Sequence, residues 1–317
     1  MIHDPSIGKK PRQIFGPVPS RRLGRSLGVD LVPFKTCTYN CIYCQLGRTT
    51  NLTVDRREWF PLDEIIEELK GKLVSSPDWI TLSGSGEPTL YSRLGELIAR
   101  IRTITDIPVA VLTNGALLWQ EEVRRELMDA HLVIPSLDAG DQAMFTAVNR
   151  PHQSIAFDLM VDGLSAFRSS YHGQYWLEVF ILGGHTAMKI EVEKIAACAA
   201  RAEPDRIQLN TVTRPPAEDI AVGVDLIGME KLTTLFTPRA EVIADFRGVH
   251  DSPEFSATSD TVLDLLRRRP CTIDDIAGGL GIHLNEAVKY VEDLLGKGLV
   301  GQVELKRKTC YRARPGG

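Results

Sequence analysis

Short apolar runs, each followed by a stretch of helical periodicity, recur along most of this chain and decide what it can fold into. Residues 26–33 form the first run, and residues 63–74 follow with Ile65, Ile66, Leu69 and Leu73 spaced for one helix face. Runs at 79–82, 109–113, 132–137, 176–182 and 206–212 read as further strands, with helices predicted at 93–104, 119–128, 154–170, 187–201 and 226–236. Residues 240–246 are a candidate last strand. Strands that are apolar throughout and separated by helices belong to a parallel sheet covered on both faces. The pattern suits a barrel and a doubly wound open sheet equally.

After the first run comes the loop Cys37-Thr38-Tyr39-Asn40-Cys41-Ile42-Tyr43-Cys44, its three cysteines separated by three and two residues. Thiolates this close can occupy three corners of a cubane iron–sulfur cluster, whereas a cluster held wholly by protein takes four cysteines. Three leave one iron with an open position, and an open position on a metal is where chemistry happens. The competing readings are a structural zinc site and a set of buried thiols. Zinc in a Cys3His set needs a nearby histidine, and the loop has none; the nearest in sequence are His3 and His131. Core thiols have no reason to cluster among Lys35, Thr36, Thr38, Asn40, Gln45 and Arg48.

A second motif, Ser83-Gly84-Ser85-Gly86-Glu87-Pro88-Thr89, follows strand 79–82, about forty residues after the cysteine loop. Glycines let a backbone turn tightly and approach a ligand with no side chain in the way. Alone such a turn is weak evidence; with the cysteine loop it resembles the radical SAM superfamily. In that family three cysteines hold a [4Fe–4S] cluster whose free iron chelates the amino and carboxylate groups of S-adenosylmethionine (SAM). The cluster then passes an electron to the sulfonium, which yields a 5′-deoxyadenosyl radical. The resemblance assigns Cys37, Cys41 and Cys44 to the cluster and Tyr43 to a place beside the adenine. It assigns Gly84, Ser85, Gly86 and Glu87 to the SAM amino group, with Ser85 where the family usually has glycine. It covers residues 15–246 and implies an α/β fold, a partial (β/α)6 barrel.

In α/β barrels the working residues sit at the carboxyl ends of the strands. That rule selects Thr113 and Asn114 after the third strand, Ser136 and Asp138 after the fourth, and Asn210 with Thr213 after the sixth. Glu178 lies inside the fifth strand between Trp176 and Phe180, where a carboxylate needs a partner. By resemblance, residues after the fourth strand contact the SAM ribose and carboxylate, and those after the sixth the adenine. The plainer reading is that each caps a strand end. His185, after two glycines, is a candidate substrate-side acid or base, and Cys198 reads as a core thiol.

The lead-in at 16–28 carries Arg21, Arg22 and Arg25, and resembles that of proteins related to the wyosine tRNA-modifying enzymes. Guanidinium groups hold carboxylate or phosphate bidentately. Those enzymes carry a second cluster on upstream cysteines, and this chain has no cysteine before Cys37, which counts against wyosine chemistry.

Past residue 253 the rhythm changes. A helix at 259–269 stops at Pro270, and a short helix starts at Thr272 with Asp275 placed for a capping box. A turn at 278–281, a helix at 284–295 and two strands at 299–305 and 309–312 follow. That order resembles a winged helix-turn-helix domain, so residues 1–253 are expected to form the barrel with its lead-in and 254–317 a small second domain. The third helix presents Asn285, Glu286, Lys289, Glu292 and Asp293, too acidic for a phosphate-lined groove. The wing, with Lys306, Arg307, Lys308, Arg312 and Arg314, is the better contact for RNA or for a protein or peptide. A structural or dimerising role fits as well.

The chain has 317 residues, 43% hydrophobic and 25% charged, which suits one large and one small domain. No apolar stretch approaches the ~20 residues that span a bilayer, and the first residues lack a signal-like apolar core. Six cysteines, three of them clustered, do not make a disulfide framework, so a reducing cytoplasm is the expected compartment. A net charge of −4 gives no overall case for nucleic-acid binding.

The expected function is that of a radical SAM enzyme abstracting hydrogen from an unreactive C–H bond, served by a low-potential electron donor such as a flavodoxin or ferredoxin. An RNA base is the substrate class the lead-in implies; a peptide or small metabolite is the alternative. A winged-helix regulator that senses an iron–sulfur cluster or SAM is the non-enzymatic reading, and it would not need both motifs.

Overall fold

The computed structural model describes residues 13–244, 258–280, 282, 284–305 and 308–314. Two strands come first, β1 (Ile14–Ser20) and β2 (Gly24–Val29), paired antiparallel. Two short strands, β3 (Thr36–Cys37) and β4 (Asn51–Leu52), pair at the base of the cysteine loop. Alternating units follow: α1 (Leu62–Lys72), β5 (Trp79–Leu82), α2 (Leu94–Ile104), β6 (Val109–Thr113), α3 (Glu121–Glu126) and β7 (Leu132–Pro135). Then come α4 (Gln142–Val148), α5 (Phe157–Ser170), β8 (Gln174–Ile181), α6 (Lys189–Ala202), β9 (Arg206–Thr211), α7 (Leu226–Leu232) and β10 (Glu241–Val242). The C-terminal segment contains α8 (Ser259–Arg268), α9 (Ile273–Leu280), α10 (Leu284–Gly296), β11 (Val300–Leu305) and β12 (Lys308–Ala313).

Strands β2, β5, β6, β7, β8, β9 and β10 run parallel, side by side in chain order, with β1 beyond β2 at the edge. A doubly wound sheet reverses its strand order at a switch point. Here nothing reverses, and side chains from β2 through β9 line one common cavity, which a flat sheet cannot achieve. The arrangement is a partial barrel, open between β1 and β10.

Alternation along the strands sorts the residues. Ile80, Leu82, Val109, Val111, Val133, Leu177, Val179, Ile207 and Leu209 join the helices in the main core. The opposite set faces inward. Leu23, Ala110, Leu132, Ile134 and Trp176 form a separate apolar cluster there. Further along the same rows Thr81, Ser83, Ser136, Glu178 and Asn210 line the cavity. Position in the barrel, not the strand's average character, therefore places Glu178 beside polar partners.

The C-terminal segment is three helices and an antiparallel hairpin, built on Val262, Leu266, Ile276, Ala287, Val291 and Leu294. The capping box forms as expected: Thr272 N donates to Asp275 Oδ2 and Asp275 N to Thr272 Oγ1, each at 3.0 Å. Helices α8 and α9 lie against β1, and Val18 of β1 joins their apolar cluster. The segment thus covers the open side of the barrel.

Differences from the sequence reading have physical causes. β1 is a strand despite Pro17 and Pro19, because an edge strand interrupted by a bulge between Phe15 and Val18 tolerates missing donors. The first parallel strand stops at Val29, not at 33, so Asp30 is a strand-end residue. A short helix, α4, fills the expected loop before α5. The glycines expected to turn at 278 and 279 lie within α9. Of the wing residues Lys306 and Arg307 lie outside the described residues, as does the end of the candidate strand at 240–246. No helix among the described residues is long and apolar enough to cross a membrane.

Candidate active site

Glu87 ties the two motifs together. It is 2% exposed. Its Oε1 accepts from Thr89 N (3.0 Å), the Thr89 hydroxyl (2.7 Å) and the Thr113 hydroxyl (2.6 Å), and its Oε2 from Asn114 N (2.8 Å). Burial raises its pKa, against these donors. The glycine turn is thereby fixed to the end of β6. It is also fixed to the cysteine loop, since Glu87 N donates to Thr36 O (3.1 Å) and Lys35 N to Ser85 O (2.7 Å). A carbonyl has a second lone pair, so Ser85 O keeps acceptor capacity toward the cavity. A Cβ at residue 86 would lie 1.8 Å from Thr36 O, and Gly84 has φ +135°; both positions require glycine.

The thiols receive N–H donors. Asn114 Nδ2 donates to Cys37 Sγ (3.5 Å) and to Thr38 Oγ1 (2.7 Å), and Asn149 Nδ2 to Cys41 Sγ (3.6 Å). Backbone N–H groups of Leu46 and Gly47 serve Cys44, and those of Thr38 and Tyr39 serve Cys37. Burial pushes all three thiols up, Cys37 to about 12, so they keep their protons until a bound cation displaces them. Among the described residues no three His, Cys, Asp or Glu side chains converge on a single ion. A cubane asks for something else, one thiolate on each of three irons, with hydrogen bonds to sulfur tuning it. Three free, donor-supported thiols on one loop fit a [4Fe–4S] cluster with one open iron.

Behind them Tyr43 stacks on Phe180, ring centroids 4.1 Å apart and planes 11° from parallel. Its hydroxyl donates to Asp138 Oδ2, which also accepts from Asn149 Nδ2 (2.8 Å), while Oδ1 accepts from Phe180 N (2.9 Å). Burial lifts the Asp138 carboxyl to about 6, with those donors opposing. Asp138 therefore orients Tyr43 with both of its oxygens engaged. Ser136, one strand over, bridges Glu178 in the sheet. Glu178 pairs with Arg22 and accepts from Asn210 Nδ2 (3.2 Å). Burial alone would raise Glu178; Arg22, Asn210 and Arg21 together outweigh it, and its pKa falls. Asn210 Oδ1 in turn accepts from Arg21 Nη1 (3.0 Å).

A single cavity of about 470 Å³ is lined by Cys37, Cys41, Tyr43, Cys44, Gly84, Ser85, Gly86, Glu87, Thr113, Asn114, Ser136, Asp138, Glu178 and Asn210, all selected from sequence. His185 is elsewhere, on the turn after β8 with Nδ1 3.4 Å from Gly183 O. The radical SAM superfamily profile matches residues 31–199, from the cysteine loop to α6. The chain belongs to the radical SAM superfamily. Among curated relatives, a Brachyspira hyodysenteriae protein called GTPase Obg is 43% identical over 91% of this chain, which spans 42% of that relative's length. A UPF0026 protein of Methanocaldococcus jannaschii is 40% identical over 70% of each chain, and one from Helicobacter pylori 32% over 90% of this chain and 93% of its own. Among solved structures, a radical SAM methyltransferase from Sphaerobacter thermophilus superposes with TM-score 0.54 at 14% identity, over 68% of this chain and 65% of that one. Streptococcus suis SuiB bound to S-adenosylmethionine gives 0.52 at 14% identity, over 74% and 54%. These two show the shared fold.

The site of this radical SAM protein includes residues the sequence reading passed over. Asn149 links Cys41, Tyr43 and Asp138, yet it ends a helix in no motif. Asp30 accepts from Ser85 N (2.6 Å) and was hidden inside a strand drawn too long. Arg268 and Arg269 reach the cavity from α8, which only the tertiary fold reveals.

Proposed function

We propose that this chain binds a [4Fe–4S] cluster through Cys37, Cys41 and Cys44 and cleaves SAM reductively to abstract hydrogen from a substrate held in the barrel cavity. The observation that carries this reading is the convergence of the cysteine loop and the glycine turn on one cavity, joined through Glu87. A bound cluster supplies the electron for SAM cleavage, drawn from a low-potential donor such as a flavodoxin or ferredoxin. The chain's own residues do the positioning. Glu87 holds the turn whose free carbonyl lone pairs meet the SAM amino group, and Asp138 with Asn149 fixes Tyr43 and the Cys41 thiol. Enclosure by α8 keeps water from the reacting atoms, which is the protein's share of cofactor chemistry. The six free cysteines suit a reducing, cytoplasmic setting.

We read the three C-terminal helices and hairpin as a winged helix-turn-helix unit. Burial chiefly lowers the Lys35 amine and the charge of Arg312 adds to it, so this part of the wing faces the barrel. That position favours a covering role over an open RNA platform.

Anaerobic reconstitution followed by dithionite and SAM tests the proposal. The expected product is 5′-deoxyadenosine, absent in Cys41→Ala. A reconstituted protein that binds zinc but no iron, or that holds iron and leaves SAM intact, overturns it. Nucleoside analysis of tRNA after the reaction tests the RNA-base reading.

A further inference from the structure

Five arginines line the cavity: Arg21, Arg22, Arg214, Arg268 and Arg269. Three of them pair with carboxylates, Arg22 with Glu178, Arg268 with Asp30 and Arg214 with Asp275. Arg21, Arg214 and Arg269 come from separate elements, the β1–β2 turn, the loop after β9 and the end of α8, and approach one another on the open side of the barrel. Burial and mutual repulsion bring Arg21 down to about 10 and Arg214 to about 9, with Arg269 the leading repulsive neighbour of both. Arg21 donates to Asn210 Oδ1 (3.0 Å), Ile243 O (3.4 Å) and Thr213 Oγ1 (2.8 Å). Arg214 donates to Gln45 Oε1 (3.1 Å) and lies 3.6 Å from Asp275, whose other oxygen is committed to the cap at Thr272. The Arg269 Nε–H is buried and has no hydrogen-bond partner.

A buried donor without a partner is expensive, and so is bringing guanidiniums together in a partly dry cavity. Both penalties vanish when an oxyanion arrives. Planar guanidiniums from different directions match the oxygens of phosphate or carboxylate.

We infer that this corner seats an oxyanionic group, phosphate or carboxylate, of a small-molecule substrate, with Arg269 its principal ligand and Arg21 and Arg214 completing the cradle. The inference rests on the radical SAM reading for the word substrate. α8 covers the open side, so the occupant is a small molecule and not a folded RNA.

Calorimetric titration of inorganic phosphate, and separately of acetate, into the reconstituted full chain reads the corner directly. The expected result is saturable binding of one of them, which names the group. Affinity falls at least tenfold in Arg269→Gln and by less in Arg269→Lys, while the unfolding midpoint of Arg269→Gln without anion does not fall, since that variant gives up an unpartnered donor and a repulsive charge. The inference is overturned when neither anion binds, when either binds equally to the wild type and Arg269→Gln, or when SAM displaces the anion competitively, which would give the arginines to the SAM carboxylate. Binding of tRNA that depends on Arg269 without binding of small anions also overturns it. Anion binding without SAM cleavage would sink only the radical reading, and SAM cleavage without anion binding only this one.

Discussion

Arg268 of α8 pairs with Asp30 at the end of β2, and Asp30 at the same time accepts the Ser85 N–H of the glycine turn. The C-terminal segment is thus connected through one carboxylate to the glycine turn beside the cysteine loop. Arg268 also lies over the Phe15 ring, 3.4 Å from its centroid. Burial raises Asp30, and Arg268 works against that rise.

Removing the cation leaves Asp30 buried without its counter-charge, a change that costs about 3–5 kcal/mol in buried pairs. Arg268→Met is expected to lower urea stability and weaken SAM binding together. In Asp30→Asn the same Arg268 substitution should cost far less. A double-mutant cycle measures this, and a coupling below about 0.5 kcal/mol would show the pair to be idle.

Two glycines should respond in opposite ways to alanine. Gly86 has the Thr36 carbonyl 1.8 Å from a built Cβ and Val32 Cγ2 at 2.8 Å, so the turn and the cysteine loop would be forced apart. Gly86→Ala is expected to bind iron poorly on reconstitution and to lose SAM affinity by tenfold or more. Gly278, inside α9, has nothing within 4 Å. Gly278→Ala should stabilise by about 0.5–1 kcal/mol through helix propensity. Denaturant midpoints and iron content after reconstitution separate the two.

Much of this was legible in the sequence, for a physical reason. Ligand-binding motifs are local: Cys37, Cys41 and Cys44 must share a loop, and Gly84 with Gly86 must share a turn, whatever the fold does. Strand identity was also local, since Trp79–Leu82 and Val109–Thr113 are apolar runs between helices. Strand order was not, because barrel and open sheet bury the same runs. Asn149, Arg214 and Arg269 carry no local signature at all. They matter through neighbours that the fold brings to them, as in the contacts of Asn149 with Cys41 and of Arg214 with Gln45.

Glu87 offers a test of how the motifs are joined. Its two oxygens take four donors, so Glu87→Gln replaces an acceptor with an NH2 group facing another N–H. A lost buried hydrogen bond of this kind costs about 1–3 kcal/mol. The expected readouts are lower urea stability and a shifted thiolate-to-iron absorption band, because Asn114 then holds Cys37 less firmly. An unchanged band with reduced stability would confine Glu87 to the fold.

Asp138 gives a pH signature. Its carboxyl is lifted to about 6, burial being the main cause, while the unfolded chain has a value near 3.8. The folded state therefore holds the proton more tightly, and the protonated form favours folding. Stability should fall as pH rises from the unfolded value through the folded one, by about 2 kcal/mol between about pH 4.5 and about pH 7.5. Asp138→Asn cannot ionise, so its stability relative to the parent should grow by that amount over the same interval. Urea unfolding of the metal-free protein and its variant at the two pH values measures the difference. A gap that stays constant with pH would mean that the Tyr43, Asn149 and Phe180 donors fully offset burial, and that Asp138 titrates as an ordinary carboxylate.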